Sequence, residues 1–277
     1  MSVSSEYATA GLREAARPRT RVEPTGWVRR HLQPHLAPPM RVLDVGCGHG
    51  AIAAEVARRF PDHEIVAIDA SESRVAFARR NLEGSPNASA ITGSAEALPF
   101  EEGSFDFVYS RFLLGHVPGK QAAVDEFARV CRPGGTVLLQ DLEGQILDNH
   151  PPDPGLQLDL TRALELLATT GFDPDVGPKL PCFLERAGLS AGGIEVEPYE
   201  VIAGAIGREE RAEWQLKLAI AVSALTRLGF DGADDIADRF LRYLDREDTV
   251  SCSRLVTAWA RKEPGRPGSS NGEPGEA

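Results

Sequence analysis

Apolar residues follow two alternating patterns in the first half of this chain. Short apolar runs, typical of buried strands, alternate with stretches in which apolar residues recur every three or four positions, as on one face of a helix. The runs predict strands at 41–45, 64–68, 90–91, 105–109 and 136–140, and the periodic stretches predict helices at 51–60, 72–82 and 120–130. This order predicts an α/β fold, with a doubly wound parallel sheet covered by helices on both faces.

After residue 140 the alternation stops and helical patterns dominate. Helices are predicted at 156–170, 177–187, 208–228 and 234–244, and strands at 194–202 and 250–259. The domain boundaries that follow are an N-terminal helical arm or lid at 1–40, a main domain at 41–262 with helical cap insertions at about 145–175 and 205–247, and a tail at 263–277. The tail lacks core residues and is predicted to be disordered.

Charge and cysteine usage narrow the class of protein. The net charge of −11 argues against binding to duplex nucleic acid, which usually needs a basic surface. Residues 1–41 nevertheless hold seven Arg and three Glu, and we interpret this arm as packing on the acidic remainder of the same chain; contact with an anionic ligand is the alternative.

The four cysteines are widely separated, so their spacing predicts neither a zinc site nor a disulfide framework. This usage favours a location in the reducing cytoplasm. No apolar run predicts a membrane span or a secretory signal.

Three glycines occupy alternate positions of the stretch VLDVGCGHG, at the junction of the first strand and the first helix. Glycine there lets the backbone approach a ligand and exposes amides at the helix start, which predicts a nucleotide-like ligand. Asp69 ends the second strand, 23 residues after Gly46, where its carboxylate can accept hydrogen bonds from two ribose hydroxyls. Enzymes that use NAD and those that use S-adenosylmethionine (SAM) both have such an acid, so this pair leaves both cofactors open.

Three further motifs follow in order: GSAEALPF at 93–100, FDFVYSRFLLGHVP at 105–118 and RVCRPGGTVLLQD at 129–141. Together with VLDVGCGHG and VAIDAS, they resemble the class I SAM-dependent methyltransferases, in particular the small-molecule branch that includes ubiquinone-type C-methyltransferases. The resemblance implies a Rossmann-like sheet with an antiparallel last strand and a helical cap over the acceptor site. It also implies methyl transfer from SAM to an O, N or C nucleophile of a small molecule, without a metal.

The same resemblance implies which residues hold SAM. The glycine loop would lie under the methionine moiety and ribose, Asp69 would hold the ribose hydroxyls, and Asp44 would face a cationic group of the ligand. Ser94 stands where the family often has an acid for the adenine amino group, which predicts a weaker contact. The implied set of cofactor-binding residues is Asp44, Gly46, Cys47, Gly48, Asp69, Ala70, Ser94, Ala95, Glu96, Ser110 and Arg111.

His116 is the candidate catalytic residue. It follows the fourth strand on the cleft side, and the intrinsic pKa of histidine suits a general base for a hydroxyl acceptor. The alternative is that it only shapes the cofactor pocket. Two other functions also stay open, because a fold does not fix a reaction: non-methyl chemistry such as a cyclisation, and non-catalytic SAM binding.

Several other residues are expected to have no direct part in catalysis. Trp27 and Trp214 are expected in the core rather than on the wall of an acceptor site, and Cys47 is expected to fill a position that needs a small residue. His31 and His35 are expected on the surface. Tyr7 lies in the arm and could serve as a lid aromatic, although packing is the default.

Overall fold

The computed structural model describes residues 24–37 and 39–264. The predictions for Tyr7, for most of the arm and for nearly all of the tail therefore lie outside the described residues. The strands are β1 Arg41–Val45, β2 Glu64–Asp69, β3 Ala88–Thr92, β4 Phe105–Arg111, β5 Cys131–Glu143, β6 Asn149–His150, β7 Ser190–Ala203 and β8 Val250–Arg261. The helices are α1 Pro24–Trp27, α2 Ala51–Arg59, α3 Glu72–Asn81, α4 Lys120–Val130, α5 Pro154–Ala168, α6 Leu180–Arg186, α7 Arg208–Arg227 and α8 Ala233–Leu244.

The described strands form one mixed sheet in the order β3-β2-β1-β4-β5-β8-β6, and β7 also pairs with β8. The five strands from β3 to β5 are parallel neighbours, whereas β8 runs antiparallel to β5 and to β7. The predicted fold class, a mostly parallel sheet with an antiparallel last strand, is confirmed. Because the first five strands are parallel, their carboxyl ends meet at one edge of the sheet, where ligands bind in such folds.

Helices cover both faces of the sheet, so its central strands are buried on both sides. On one face β4 and β5 pack against α4, with Phe105, Phe127 and Leu139 in a common core. On the other face α2 and α3 pack against β1 and β2, and Trp27 and Tyr109 belong to that second core. The expectation that Trp27 packs in the core is confirmed.

Helices also form in both predicted insertions, where α5, α7 and α8 share an apolar core of their own. The rings of Trp214 and Phe240 meet edge to face with centroids 5.2 Å apart, which confirms a packing role for Trp214. Helix α5 begins where Asp153 accepts a hydrogen bond from the Leu156 amide at 2.9 Å. Whether these helices cap an acceptor site remains a prediction.

The N-terminal segment corrects one expectation. Helix α1 continues as a π-helical turn, Val28–Leu32, and a 3₁₀ turn, Gln33–His35. His31 lies one turn after Trp27, on the face that packs against the sheet, and is only 5% exposed; the prediction that it lies on the surface is wrong. Its Nε2 is 3.1 Å from Glu197, and burial lowers the pKa of His31 to about 4. His35 is half-buried, with its ring 6.0 Å from that of Phe107.

Candidate functional site

The glycine loop between β1 and α2 is bonded to the end of β2. The amides of Gly46 and Cys47 both donate to the Ile68 carbonyl, at 2.8 and 3.0 Å. Gly46, Gly48 and Gly50 have φ of +77°, +54° and +74°, a region that other residues rarely adopt. A Cβ on Gly46 would lie 2.7 Å from Leu113, whereas one on Gly48 would meet no neighbouring atom of residues 24–37 and 39–264 within 4 Å. The loop is therefore packed at its first glycine and open at its second.

Asp69 fixes this loop from the end of β2. Its Oδ2 accepts a hydrogen bond from the Gly48 amide and its Oδ1 accepts one from the Ser71 amide, both at 2.9 Å. A carboxylate has about four lone-pair positions, so each oxygen of Asp69 keeps capacity for a ligand hydroxyl. Ala70 follows Asp69 and is exposed. The predicted ribose acid thus also holds the glycine loop, which sequence reasoning did not predict.

Asp44 is a buried carboxyl at the carboxyl end of β1. It is 4% exposed, and its Oδ2 has no hydrogen-bond partner among the described residues. Burial raises the pKa of Asp44 to about 7, and the negative charge of nearby Asp69 adds to this increase. Tyr109 and the positive charge of Arg111 lower the pKa of Asp44, but these effects are smaller than that of burial. A cationic ligand group beside Asp44 would offset the burial of its charge.

Cys47 is half-buried within the loop, where burial and the neighbouring Asp44 and Asp69 raise the pKa of its thiol. A thiol that resists ionisation is a poor nucleophile, which supports its interpretation as a small packing residue.

Arg111 ends β4 among polar and aromatic groups. Its Nε donates to Gln140 Oε1 at 3.1 Å, and its guanidinium carbon lies 3.8 Å from the ring centroid of Phe112. The Tyr199 hydroxyl and the charge of Asp141 favour the protonated arginine, but burial is the larger effect and lowers the pKa of Arg111 to about 10. Arg111 therefore stays a cation at neutral pH, close to the carboxyl of Asp44.

The residues after Arg111 form a turn that β5 holds in place. Phe112 has φ of +52°, an uncommon and strained conformation for a side chain of this size. Asp141, buried at the end of β5, accepts a hydrogen bond from the Gly115 amide at 3.1 Å. His116 ends this turn, exposed, with its ring 5.4 Å from that of Phe172. Ser110, the other predicted residue here, is fully buried.

The predicted adenine-side residues lie after β3, beside the end of β2. The Gly93 amide donates to the Asp69 carbonyl at 3.1 Å, which joins the two segments. Ser94 is exposed and its hydroxyl accepts a hydrogen bond from the Glu96 amide at 3.2 Å. The Glu96 carboxylate accepts one from the Gly119 amide at 2.6 Å, so it holds the start of α4. Ala95 between them is half-buried.

An open pocket of about 220 Å³ lies between β7 and the first turn of α7, lined by Tyr199, Glu200, Val201, Ile202 and Glu210. The pairing of β7 with β8 is irregular between Pro198 and Glu200. Such bulges redirect side chains and are frequent next to active sites. The Tyr199 ring meets that of Phe112 edge to face at 5.4 Å, so the pocket adjoins the end of β4.

Three residues around Arg111 were not predicted as site residues from the sequence: Tyr199, Gln140 and Asp141. The last two end the motif RVCRPGGTVLLQD, where they form a polar pair directly after the run TVLL. Among the described residues, no group of three or more His, Cys, Asp or Glu side chains is placed to hold a metal ion. None of the described helices has the length and apolar composition to cross a membrane.

Comparison with known proteins points to one family. Residues 42–135 match the model of a family described as a methyltransferase domain. The ubiquinone/menaquinone biosynthesis C-methyltransferase UbiE of Geobacter sulfurreducens is 40% identical over 103 residues, which cover 36% of this chain and 40% of that protein. The chain spans about half the length of the first curated relatives that it matches, 53% and 54%.

Solved structures share the fold at low identity. The 4+2 cyclase SpnF has a TM-score of 0.56 and 21% identity, with 87% of this chain and 81% of that chain covered. Phosphoethanolamine N-methyltransferase 2 of Haemonchus contortus, solved with phosphomonomethylethanolamine and S-adenosylhomocysteine, has a TM-score of 0.55 and 18% identity, with 87% and 52% covered. These likenesses show the fold alone. The match of residues 42–135 and the curated relatives confirm the resemblance that the motifs indicate.

Proposed function

We propose that this protein transfers the methyl group of SAM to an O, N or C nucleophile of a small molecule. The match of residues 42–135 to a methyltransferase domain and the likeness to UbiE support this proposal. The observation that carries the proposal is the site formed by the glycine loop, the Asp69 carboxylate that fixes it and the buried Asp44, one oxygen of which has no hydrogen-bond partner within the described part of the chain. All three lie at the edge of the sheet where such folds bind ligands.

The side chains present fit SAM, which carries an adenosine, a positively charged sulfur and an amino acid. Asp69 would accept hydrogen bonds from the ribose hydroxyls, and Asp44 would face the cationic amino group. Arg111, beside Ser110, would hold the carboxylate of the same amino acid, because a guanidinium suits a planar anion. The open position at Gly48 supports close approach of a ligand to the loop, with Gly46 and Cys47 next to it.

On the adenine side, Ala70, Ala95 and Glu96 would lie beside the base. Ser94 would offer its hydroxyl instead of the acid common in the family. The Glu96 carboxylate already accepts the Gly119 amide, so Glu96 would contact adenine through its remaining lone pairs or its backbone.

When bound, SAM supplies an already activated methyl group on sulfur. The chain mainly has to align the acceptor with that methyl and exclude water, and alignment alone can lower a barrier by roughly 7–11 kcal/mol in favourable cases. For a hydroxyl acceptor, His116 would accept the departing proton at a ring nitrogen. The turn that carries His116 is held by Asp141, which supports a defined position for the ring.

The acceptor would enter beside the helices α5, α7 and α8. The pocket between β7 and α7 adjoins Phe112 and Arg111 through Tyr199, which supports a path from this pocket to the end of β4. An acidic protein whose pocket contains Glu200 and Glu210 favours a neutral or cationic acceptor over an anionic one.

Two measurements test the function. Calorimetry on the purified chain should show micromolar or tighter binding of S-adenosylhomocysteine and none of NAD. Incubation with tritiated-methyl SAM and a small-molecule extract of the source organism should then label an acceptor. Binding of NAD alone would refute the cofactor. Binding of S-adenosylhomocysteine without any labelled acceptor would favour one of two other functions. One is non-methyl chemistry, for which a cyclase with this fold is a precedent, and the other is a non-catalytic SAM-binding role.

A further inference from the structure

The side chain of Gln140 joins three separate segments at the carboxyl end of the sheet. It is 1% exposed; its Oε1 accepts hydrogen bonds from Trp27 Nε1 at 2.7 Å and from Arg111 Nε at 3.1 Å. Its Nε2 donates to the Thr257 hydroxyl at 2.6 Å. Because the indole and guanidinium N–H groups can only donate, the amide oxygen must face them, and the amide orientation is fixed.

This arrangement holds Arg111 from several sides. The guanidinium carbon lies 5.4 Å from the ring centroid of Trp27 and 3.8 Å from that of Phe112, while Nε is bonded to Gln140. A long side chain with many rotamers is thereby confined before any ligand arrives. Preorganisation of this kind strengthens binding because less conformational freedom is lost when the ligand binds.

We propose that Gln140 and Trp27 are positioning residues, which hold Arg111 in the orientation that binds the carboxylate at the amino-acid end of the cofactor. This inference rests on the function proposed above. Both residues act through Arg111. The N-terminal segment at 24–35 is accordingly part of the cofactor site, although it precedes the first motif of the family.

The test compares two ligands that differ only at that end. S-adenosylhomocysteine carries the amino acid, whereas 5′-methylthioadenosine has the same adenosine and a thioether sulfur without it. Gln140→Met keeps the length of the side chain and removes the shared acceptor. It should weaken binding of S-adenosylhomocysteine roughly tenfold or more, and that of methylthioadenosine by no more than about twofold, in calorimetric titrations.

Two further variants separate positioning from general loss of structure. Thr249→Val removes another buried hydroxyl, which bonds to the Tyr243 and Arg246 carbonyls, and should lower the Tm without changing the ratio of the two affinities. Gln140→Glu keeps an acceptor oxygen for Trp27 Nε1 and Arg111 Nε. It should therefore restore at least part of the preference for S-adenosylhomocysteine over methylthioadenosine that Gln140→Met loses.

A double mutant decides whether Gln140 acts through Arg111. On an Arg111→Met background, Gln140→Met should change neither affinity by more than about twofold, because the group that it positions is gone. Equal weakening of both ligands by Gln140→Met, or an undiminished effect on the Arg111→Met background, would overturn the inference while leaving the proposed function intact. Failure of the wild-type chain to bind either ligand would overturn both proposals.

Discussion

The buried carboxyl of Asp44 should make the ligand-free protein less stable as the pH rises. Its pKa in the folded chain is about 7 against a usual value of 3.8, so the folded state holds this proton more tightly than the unfolded state does. The cost is absent below about pH 4, grows between the two pKa values and is complete above pH 7. A difference of about three pKa units corresponds to roughly 4 kcal/mol at the alkaline limit.

Asp44→Asn removes the ionisable group while keeping its size. The free energy of unfolding of the variant minus that of the wild type should be larger at pH 8 than at pH 5 by roughly 2–3 kcal/mol, because only the wild type has to bury a charge at pH 8. The variant therefore gains stability relative to the wild type as the pH rises. Urea denaturation at both pH values measures this difference. Effects of the substitution that do not depend on pH cancel when the value at pH 5 is subtracted from that at pH 8. Asp62→Asn, at an exposed acid, should shift stability by no more than about 0.5 kcal/mol at either pH.

The same substitution should impair the site. Without the Asp44 carboxylate, S-adenosylhomocysteine should bind roughly tenfold or more weakly at pH 8, since a charge-assisted hydrogen bond to its amino group is lost. A gain in stability together with a loss of affinity is expected for a group retained for function. An equal stability change at both pH values would refute the argument from burial, and an unchanged affinity would remove Asp44 from the cofactor site.

Three further predictions concern the loop, the ribose acid and the base. Gly50→Ala places a Cβ 2.9 Å from that of Ala78 at a φ of +74°. In urea denaturation it should lower the free energy of unfolding by roughly 1–3 kcal/mol more than Gly84→Ala, where φ is +87° but no neighbouring atom among the described residues lies within 4 Å. Asp69→Ala should weaken S-adenosylhomocysteine binding by roughly 1.5–3 kcal/mol in calorimetry; unchanged affinity would exclude a ribose contact. His116→Ala should leave the affinity for S-adenosylhomocysteine unchanged and lower turnover of a hydroxyl acceptor roughly 100-fold or more. Turnover equal to that of the wild type would exclude His116 as the general base.

The elements of the sheet could be predicted from sequence because their signals are local. The bounds of β1 and α4 agree with the predicted 41–45 and 120–130, since an apolar run or a helical periodicity ends there at a clear stop signal. Strand β7 begins four residues before its predicted start, at Ser190. The stretch SAGG has no strand signal of its own and becomes extended because it pairs with β8.

His31 shows where local reasoning fails. His31 is predicted to lie on the surface, but the residue shares a face with Trp27 and Val28, and the chain packs that face against the sheet. Helical spacing from Trp27 was the available signal. The partner that makes burial tolerable, Glu197, lies on β7, and no local pattern links the two.

The glycine loop and Asp69 could be found from sequence because both belong to one strand-helix-strand unit, in which the parallel pairing of β1 and β2 brings the loop next to the end of β2. The contacts that orient Arg111 have a different origin. Trp27 and Gln140 are 113 residues apart, and Gln140 and Thr257 are 117 apart, so only the completed sheet brings them together. Trp27 and Thr257 lie outside the five motifs. Gln140 lies inside RVCRPGGTVLLQD, but the motif does not indicate that its side chain contacts Arg111. The family motifs therefore identify the groups that would touch the cofactor, whereas the groups that would hold them in place become visible only in the folded chain.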